Sequence, residues 1–295
     1  MNFENKKIVV IGDSILDQTI VTTPVGISLE SPTLKVEETF SDVTLGGAAN
    51  VAKNVLALGA KCTYVSPVSK DEYYPNYGSW AHPNLHFKKL WSLHKNTVKI
   101  RVWVEKSGES YKYLQVNRTS NHHPVMPWGI KETIKDADVI VLVDYGLGMF
   151  GNVKNIITEA KRYKIPVIAS SQMSDKDNRY ALFRDADYLC MNESEAESCP
   201  FPFIGCVTLG SKGCCWVGSQ SISHKGFEVE AKDPCGAGDA FLAALSLCLD
   251  NINEKSLAFC NAWAALSTTK VGTVQPTIGE TNDLLRSVES QQVAS

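Results

Sequence analysis

The stretch DPCGAGDAFLAAL, residues 233–245, places a glycine turn directly before an apolar run, with a carboxylate among the first residues of that run. If the run is a helix, its first four N–H groups lack intrahelical partners. The amides of Gly236, Ala237 and Gly238 then sit at the positive end of the helix dipole and form a cradle for anionic oxygens. Glycine lets a phosphate come close to the backbone. Asp239 adds a negative charge for which a phosphate has no use. Taking a proton from a hydroxyl that attacks a phosphoryl group is a fitting role for it. The simpler alternative is an ordinary helix start whose early Asp complements the dipole. Cys235 stands just before the cradle, where a helix N-terminus could lower its thiol pKa, but a catalytic thiol needs a partnered base and none is evident in the sequence.

Four further clusters could serve the same chemistry. GDSILD (12–17) sets Asp13 and Asp17 just after an apolar strand, and carboxylates accept strongly from the hydroxyls of a polyol. LGGAAN (45–50) adds Gly46 and Gly47 for close backbone approach, and Asn50, which both donates and accepts. Each of these is also readable as a turn and a helix start. In NESE (192–195), Asn192 and Glu195 either form a capping box or organise a hydrated Mg²⁺ near phosphates. In VTLGSKG (207–213), Thr208, Gly210, Lys212 and Gly213 suit nucleotide contacts at a strand end, or make a plain β-turn. GLGMFG (146–151) matches a dinucleotide-binding spacing, but Asp144 at the preceding strand end would oppose a pyrophosphate. The strand PVIAS then ends in Ser-Ser-Gln, without the acidic residue that would hold a ribose. A strand-to-helix turn is the better reading, with Asp144 still placed to face a ligand. His122 and His123 lack a third ligand at metal spacing and read as surface residues.

These groups need a scaffold, and the patterning supplies one. KIVVIGDS (7–14) and CTYVSPV (62–68) read as buried strands around a helix over 47–59 that stops at Gly59. From 138 onward, strand and helix patterns alternate, which favours a parallel sheet covered by helices. A hairpin, CCWVGSQSISH, precedes the GAGD helix. A final amphipathic helix is expected over 254–269, with a polar, frayed tail after about 285. TLKVEETF (33–40) and residues 98–118 differ, because polar and apolar residues alternate in them, implying sheets with one face exposed. The second has a Ser-Gly turn at 107–108. Arg101 and Arg118 on this hairpin, with Lys99 behind them, could hold an anionic acceptor, or be solvated charges.

The chain has 295 residues, enough for one large domain or a domain with a small appendage, and a net charge of −3 without basic blocks, so nucleic acid is not an expected partner. Apolar runs such as VIVLV are strand-sized, far short of a membrane span. The charged N-terminus leads straight into a strand and is not read as a signal peptide. Nine scattered Cys without a CxxC pair suggest reduced thiols in a soluble cytoplasmic protein.

In order and type, these motifs resemble the ribokinase or PfkB family of carbohydrate kinases, over roughly residues 7–275. GDSILD resembles the family's early substrate motif, LGGAANVAKNVLALGA its first signature, NESE its NxxE, VTLGSKG its nucleotide-side turn and DPCGAGDAF its second signature. The resemblance implies an α/β, three-layer sandwich with a mostly parallel central sheet. It also implies a single kinase domain spanning 1–295 with a small β-sheet lid from about 17–40 and 98–118, through which many relatives dimerise. It gives Asp239 the role of base and residues 236–238 that of anion hole. Asn192 and Glu195 look like Mg²⁺–phosphate organisers acting through water. Asp13, Asp17, Gly46, Gly47 and Asn50 look like the sugar side. Thr208, Gly210 and Lys212 lie where ATP is met, and Asn261 in the helix that flanks adenine. Within the family, GDSILD, SLESPTLKV and VDYGLGMF are most similar to the group phosphorylating D-glycero-D-manno-heptose 7-phosphate at its anomeric oxygen. Departures are SLESP for Ser-Pro-Glu-Ala-Pro, Leu147 for a Lys, SSQMSDKD for Asp-Pro-Lys-Gly, and Pro234 and Cys235 before GAGD. No HxGH motif occurs, so the nucleotidyltransferase partner of bifunctional relatives is not expected. The implied activity is ATP-dependent phosphorylation of a sugar or sugar phosphate. The alternatives are a kinase for a neutral sugar or nucleoside, or an inactive binding protein of the same fold acting as sensor or scaffold.

Overall fold

A computed structural model describes residues 1–121, 129–172 and 179–294. In chain order, β1 (Lys7–Gly12) runs through Asp13 into a long hairpin, β2 (Ser14–Ile27) and β3 (Leu34–Gly47). Next come α1 (Ala48–Ala57), β4 (Lys61–Val68), the single turn α2 (Tyr74–Gly78) and β5 (Leu85–Trp91). A second hairpin, β6 (Thr97–Lys106) and β7 (Glu109–Arg118), is followed by α3 (Ile130–Ile134), β8 (Val139–Asp144), α4 (Val153–Arg162) and β9 (Val167–Ser171). Then follow β10 (Tyr188–Asn192), α5 (Glu193–Glu197), β11 (Gly205–Thr208), β12 (Gly213–Val217) and β13 (Ile222–Lys225). The chain continues through α6 (Ala237–Cys248), α7 (Glu254–Ser267) and α8 (Ile278–Ala294).

The central sheet has nine strands in the order β13-β12-β11-β10-β9-β8-β1-β4-β5. All pairs are parallel except β11–β12 and β12–β13. Alternate residues of β1 serve opposite faces, as strand geometry requires. Ile8 and Val10 join the core under α1, α6 and α7, while Val9 and Ile11 join the one under α4. The result is a three-layer α/β sandwich.

The second sheet has the order β3-β2-β6-β7, with antiparallel hairpins joined through a parallel β2–β6 pair. Its inner ends enter the core through Leu16, Leu45, Val98 and Ile100. The turn between β6 and β7 has Ser107 and Gly108 both at positive φ (55° and 85°), the I′-type geometry that matches strand twist. Alternation suggested one covered face, but β7 is exposed along its whole length and the outer half of β3 nearly so. The polar tail also differs from expectation, because α8 runs helical to Ala294. β5 was not anticipated; its lysines interrupt the apolar pattern of an edge strand. Among the described residues, no helix is long and apolar enough to cross a membrane. His122 and His123 lie outside the described residues, as do the last residues of the SSQMSDKD stretch.

Candidate active site

The helix α6 is buried from Ala240 to Cys248, so packing drives it into the core and fixes where its first turn emerges. Gly236 caps it in the left-handed region (φ 83°), and a Cβ there would come within 2.6 Å of Asn50 Nδ2. Asp239 stands half-buried in the first turn. Asn50 Nδ2 donates to its Oδ2 at 3.0 Å and the Tyr145 hydroxyl donates to its Oδ1 at 2.8 Å. Burial pushes the carboxyl up to about 6. The two hydrogen bonds and Lys99 oppose that rise, and Asp17 adds to it. One of the three cradle amides is engaged, since Ala237 N–H donates to Pro234 O at 3.3 Å.

Asn50 itself is locked from behind. Its Oδ1 accepts from Gln275 Nε2 at 3.1 Å and from Asn54 Nδ2 at 3.2 Å, and Asn54 Oδ1 accepts from Trp263 Nε1 at 2.8 Å. The structure therefore sets Asn50 on α6, with its amide joined to Asp239 and to the main-chain oxygen of Gly236.

Asp13 is fully buried. Its Oδ2 accepts the main-chain N–H groups of Tyr145 (2.9 Å) and Leu147 (3.3 Å), while Oδ1 has no partner among the described residues. Burial, then the charge of Asp144, pushes this carboxyl up to about 7. Asp17 accepts from Arg101 Nη1 at 2.5 Å, both largely buried. A Cβ on Gly46 would land on the Asp17 carboxylate, and one on Gly47 would come within 2.7 Å of Asp13 O. Lys99 joins this group with its ammonium 5.0 Å from the Tyr145 ring centroid, and burial lowers its pKa. Arg118 is elsewhere. It donates to the Tyr73 hydroxyl at 3.1 Å and lines a separate depression with Asp71 and Asn96. Asp144 is fully buried and compensated by Arg179 Nε (2.7 Å), Ser171 Oγ (2.9 Å) and Gly146 N–H (2.9 Å). That network braces the turn that presents Tyr145. Leu147, where a lysine was the expected type, is buried.

On the other side, Asn192 and Glu195 form a reciprocal capping box at α5, each side chain meeting the other's main-chain N–H at 2.9 Å. Tyr180 also donates to Glu195 Oε2 at 3.1 Å. Thr208 donates to Met191 O at 3.3 Å. Gly210 opens a single 3₁₀ turn, and Lys212 at its end is exposed, 3.8 Å from Glu193. Gly213 packs against the His224 carbonyl, and Asn261 donates to that same oxygen at 3.3 Å. A cleft of about 180 Å³ brings together Tyr145, Asn192, Glu195, Thr208, Gly238 and Asp239. A larger depression, about 680 Å³, lies at the opposite, amino-terminal ends of β1, β4 and β5, so size does not locate the chemistry here. Among the described residues no three His, Cys, Asp or Glu converge as a metal cage. The hard oxygens of Asn192 and Glu195 suit Mg²⁺ held through water. Cys235 departs from expectation, because burial, with Asp17 nearby, raises its thiol to about 12 and leaves it unreactive.

Residues 206–278, which carry Thr208, the Gly236–Asp239 turn and Asn261, match the pfkB family carbohydrate kinases. This stretch carries a PfkB family domain. The chain is 27% identical over 323 residues to the bifunctional protein HldE of Campylobacter curvus, covering 95% of this chain and 65% of that protein. It is 31% identical over 195 residues to a D-beta-D-heptose 7-phosphate kinase of Bordetella bronchiseptica, covering 64% of this chain and 60% of the relative. The chain thus spans 65% or less of the length of these two relatives. A crystal structure of a putative ribokinase from Agrobacterium tumefaciens superposes with a TM-score of 0.78 at 18% identity, covering 97% of this chain and 99% of the other, which shows the shared ribokinase fold.

Sequence reasoning missed Tyr145, Gln275, Asn54 and Arg179. Tyr145 was the most accessible of these, since it directly follows Asp144 at the carboxyl end of a strand, where open α/β sheets meet their ligands.

Proposed function

We propose that this protein is an ATP-dependent kinase that transfers the γ-phosphoryl group to a hydroxyl of a sugar phosphate. The observation that carries this reading is Asp239, held by two donors at the N-terminus of α6 with its carboxyl near 6, and therefore ionised yet basic at neutral pH. Asp239 accepts the proton of the acceptor hydroxyl as that oxygen bonds to the γ-phosphorus and the bond to the ADP oxygen breaks. The amides at 236–238 favour charge gathering on the transferring group. Magnesium, when bound, would neutralise phosphate charge, with Asn192 and Glu195 as its water-mediated holders. Asp13, through its unpartnered Oδ1, and Asp17 are suited to accept acceptor hydroxyls.

Lys99 and Arg101 support an anionic acceptor. Both project from β6 toward Asp17, and the relative named as a D-beta-D-heptose 7-phosphate kinase agrees with this chemistry. The anomeric hydroxyl of heptose 7-phosphate is the specific acceptor we favour. The four-stranded sheet is read as a lid that excludes water when the site fills. Its exposed Phe40, Tyr111, Tyr113 and Leu114 would be covered in a homodimer. A cytoplasmic location suits an enzyme that uses ATP. Coupled-assay turnover with heptose 7-phosphate, fructose 6-phosphate, ribose and fructose tests the acceptor class. We expect kcat/KM at least tenfold higher for a sugar phosphate; faster turnover of the neutral sugars would overturn the anionic-acceptor reading.

A further inference from the structure

Tyr145 meets three functional groups at once. Its main-chain N–H donates to Asp13 Oδ2 at 2.9 Å, its ring lies 5.0 Å below the Lys99 ammonium, and its hydroxyl donates to Asp239 Oδ1 at 2.8 Å. We propose that Tyr145 is a positioning residue that holds the Asp239 carboxylate in one orientation and ties it mechanically to Asp13 on the acceptor side. This rests on the reading of Asp239 as the base.

The geometry divides the work between two donors. Asn50, fixed by Gln275 and Asn54, takes Oδ2, and Tyr145 takes Oδ1. Each Asp239 oxygen keeps a second acceptor direction for an incoming hydroxyl. Burial and the charge of Asp239 push the Tyr145 phenol well above its usual range, so it stays protonated and serves only as a donor. Donation to the ionised form of Asp239 opposes the rise that burial causes. The other titratable or charged groups facing Asp239 are Asp17 from β2, Lys99 from β6, Cys190 from β10 and Cys235 from the turn before α6. Lys99 is the cation among them, and it also rests on Tyr145.

The test is the titration of the Asp239 carboxyl in the full-length protein, followed by carbon NMR of labelled aspartate and assigned with Asp239→Asn. Tyr145→Phe is expected to raise the midpoint by about one pH unit, the size of one lost hydrogen bond to a charged group. The acid limb of kcat should move with it, leaving activity about fivefold below wild type at pH 6 and near normal at pH 8.5. Site-specific 3-fluorotyrosine at position 145, a stronger donor that keeps the ring, should lower the midpoint and provides the second variant if Tyr145→Phe folds poorly. A midpoint unmoved by both changes overturns the proposal. Because the midpoint is read without turnover, it is decided separately from whether Asp239→Asn abolishes phosphoryl transfer.

Discussion

The two sheets use similar apolar residues to opposite ends. In the central sheet, β8 is VIVLVD with every position buried. In the second sheet, β7 carries Tyr111, Tyr113, Leu114 and Val116, yet every position is exposed. The central sandwich therefore holds most of the core, and in the outer sheet the buried side chains lie mostly on the inner strands β2 and β6. The site is assembled at this seam. Asp13 and Asp17 lie where β1 passes into β2, Lys99 and Arg101 reach in from β6, and Tyr145 and Asp239 come from the rigid unit. Asp239 is thus held by the central sandwich, whereas Lys99 and Arg101 are held by the second sheet.

The contrast can be broken most sharply at its extremes. Trp263 is fully buried on α7 and bonded to Asn54, so Trp263→Ala should lower unfolding free energy by about 3–5 kcal/mol. Leu114→Ser on the exposed β7 should stay within about 0.5 kcal/mol in the same denaturant titration. Comparable losses at the two sites would mean that the second sheet is as integral as the first.

A smaller effect probes the seam itself. Asp13 titrates near 7 in the folded chain against an ordinary 3.8, so folding favours its protonated form. Its stabilising contribution is therefore complete below about pH 4 and is lost as pH rises through about 7. Asp239 acts with the same sign through about 6. Asp13→Asn should raise Tm at pH 8 by on the order of a few degrees and leave it unchanged at pH 4, while weakening acceptor binding. A lower Tm at pH 8 would show that the charged form is compensated in a way the buried, unpartnered Oδ1 does not suggest.

Much of this was legible in the chain because it is local. The GAGD turn, the strand-to-helix alternation and the Ser107–Gly108 hairpin each follow from neighbouring residues. What was not legible depends on contacts distant in sequence. Asn50 reads as a sugar ligand beside two glycines, and only the fold brings it to Asp239, 189 residues away. The Tyr145–Asp239 bond spans 94 residues. Cys235 stands where a helix dipole could lower its thiol pKa, but burial outweighs the dipole there. Arg118 shares a hairpin with Arg101, yet strand register pairs it with Val98, out of alternation with Lys99 and Arg101, and it turns to the Tyr73 hydroxyl instead. The exposed β7 defeats the rule that alternation marks a half-covered strand, because its cover, if a second copy supplies it, lies outside the chain.

The central claim is that Asp239 removes the acceptor's proton. Single-turnover phosphoryl transfer by Asp239→Asn, with affinity for a nonhydrolysable ATP analogue measured in parallel, tests it most directly. The account predicts a rate lower by about 10²–10⁴-fold with nucleotide affinity nearly unchanged. Retention of a substantial fraction of the wild-type rate on the same acceptor would contradict it.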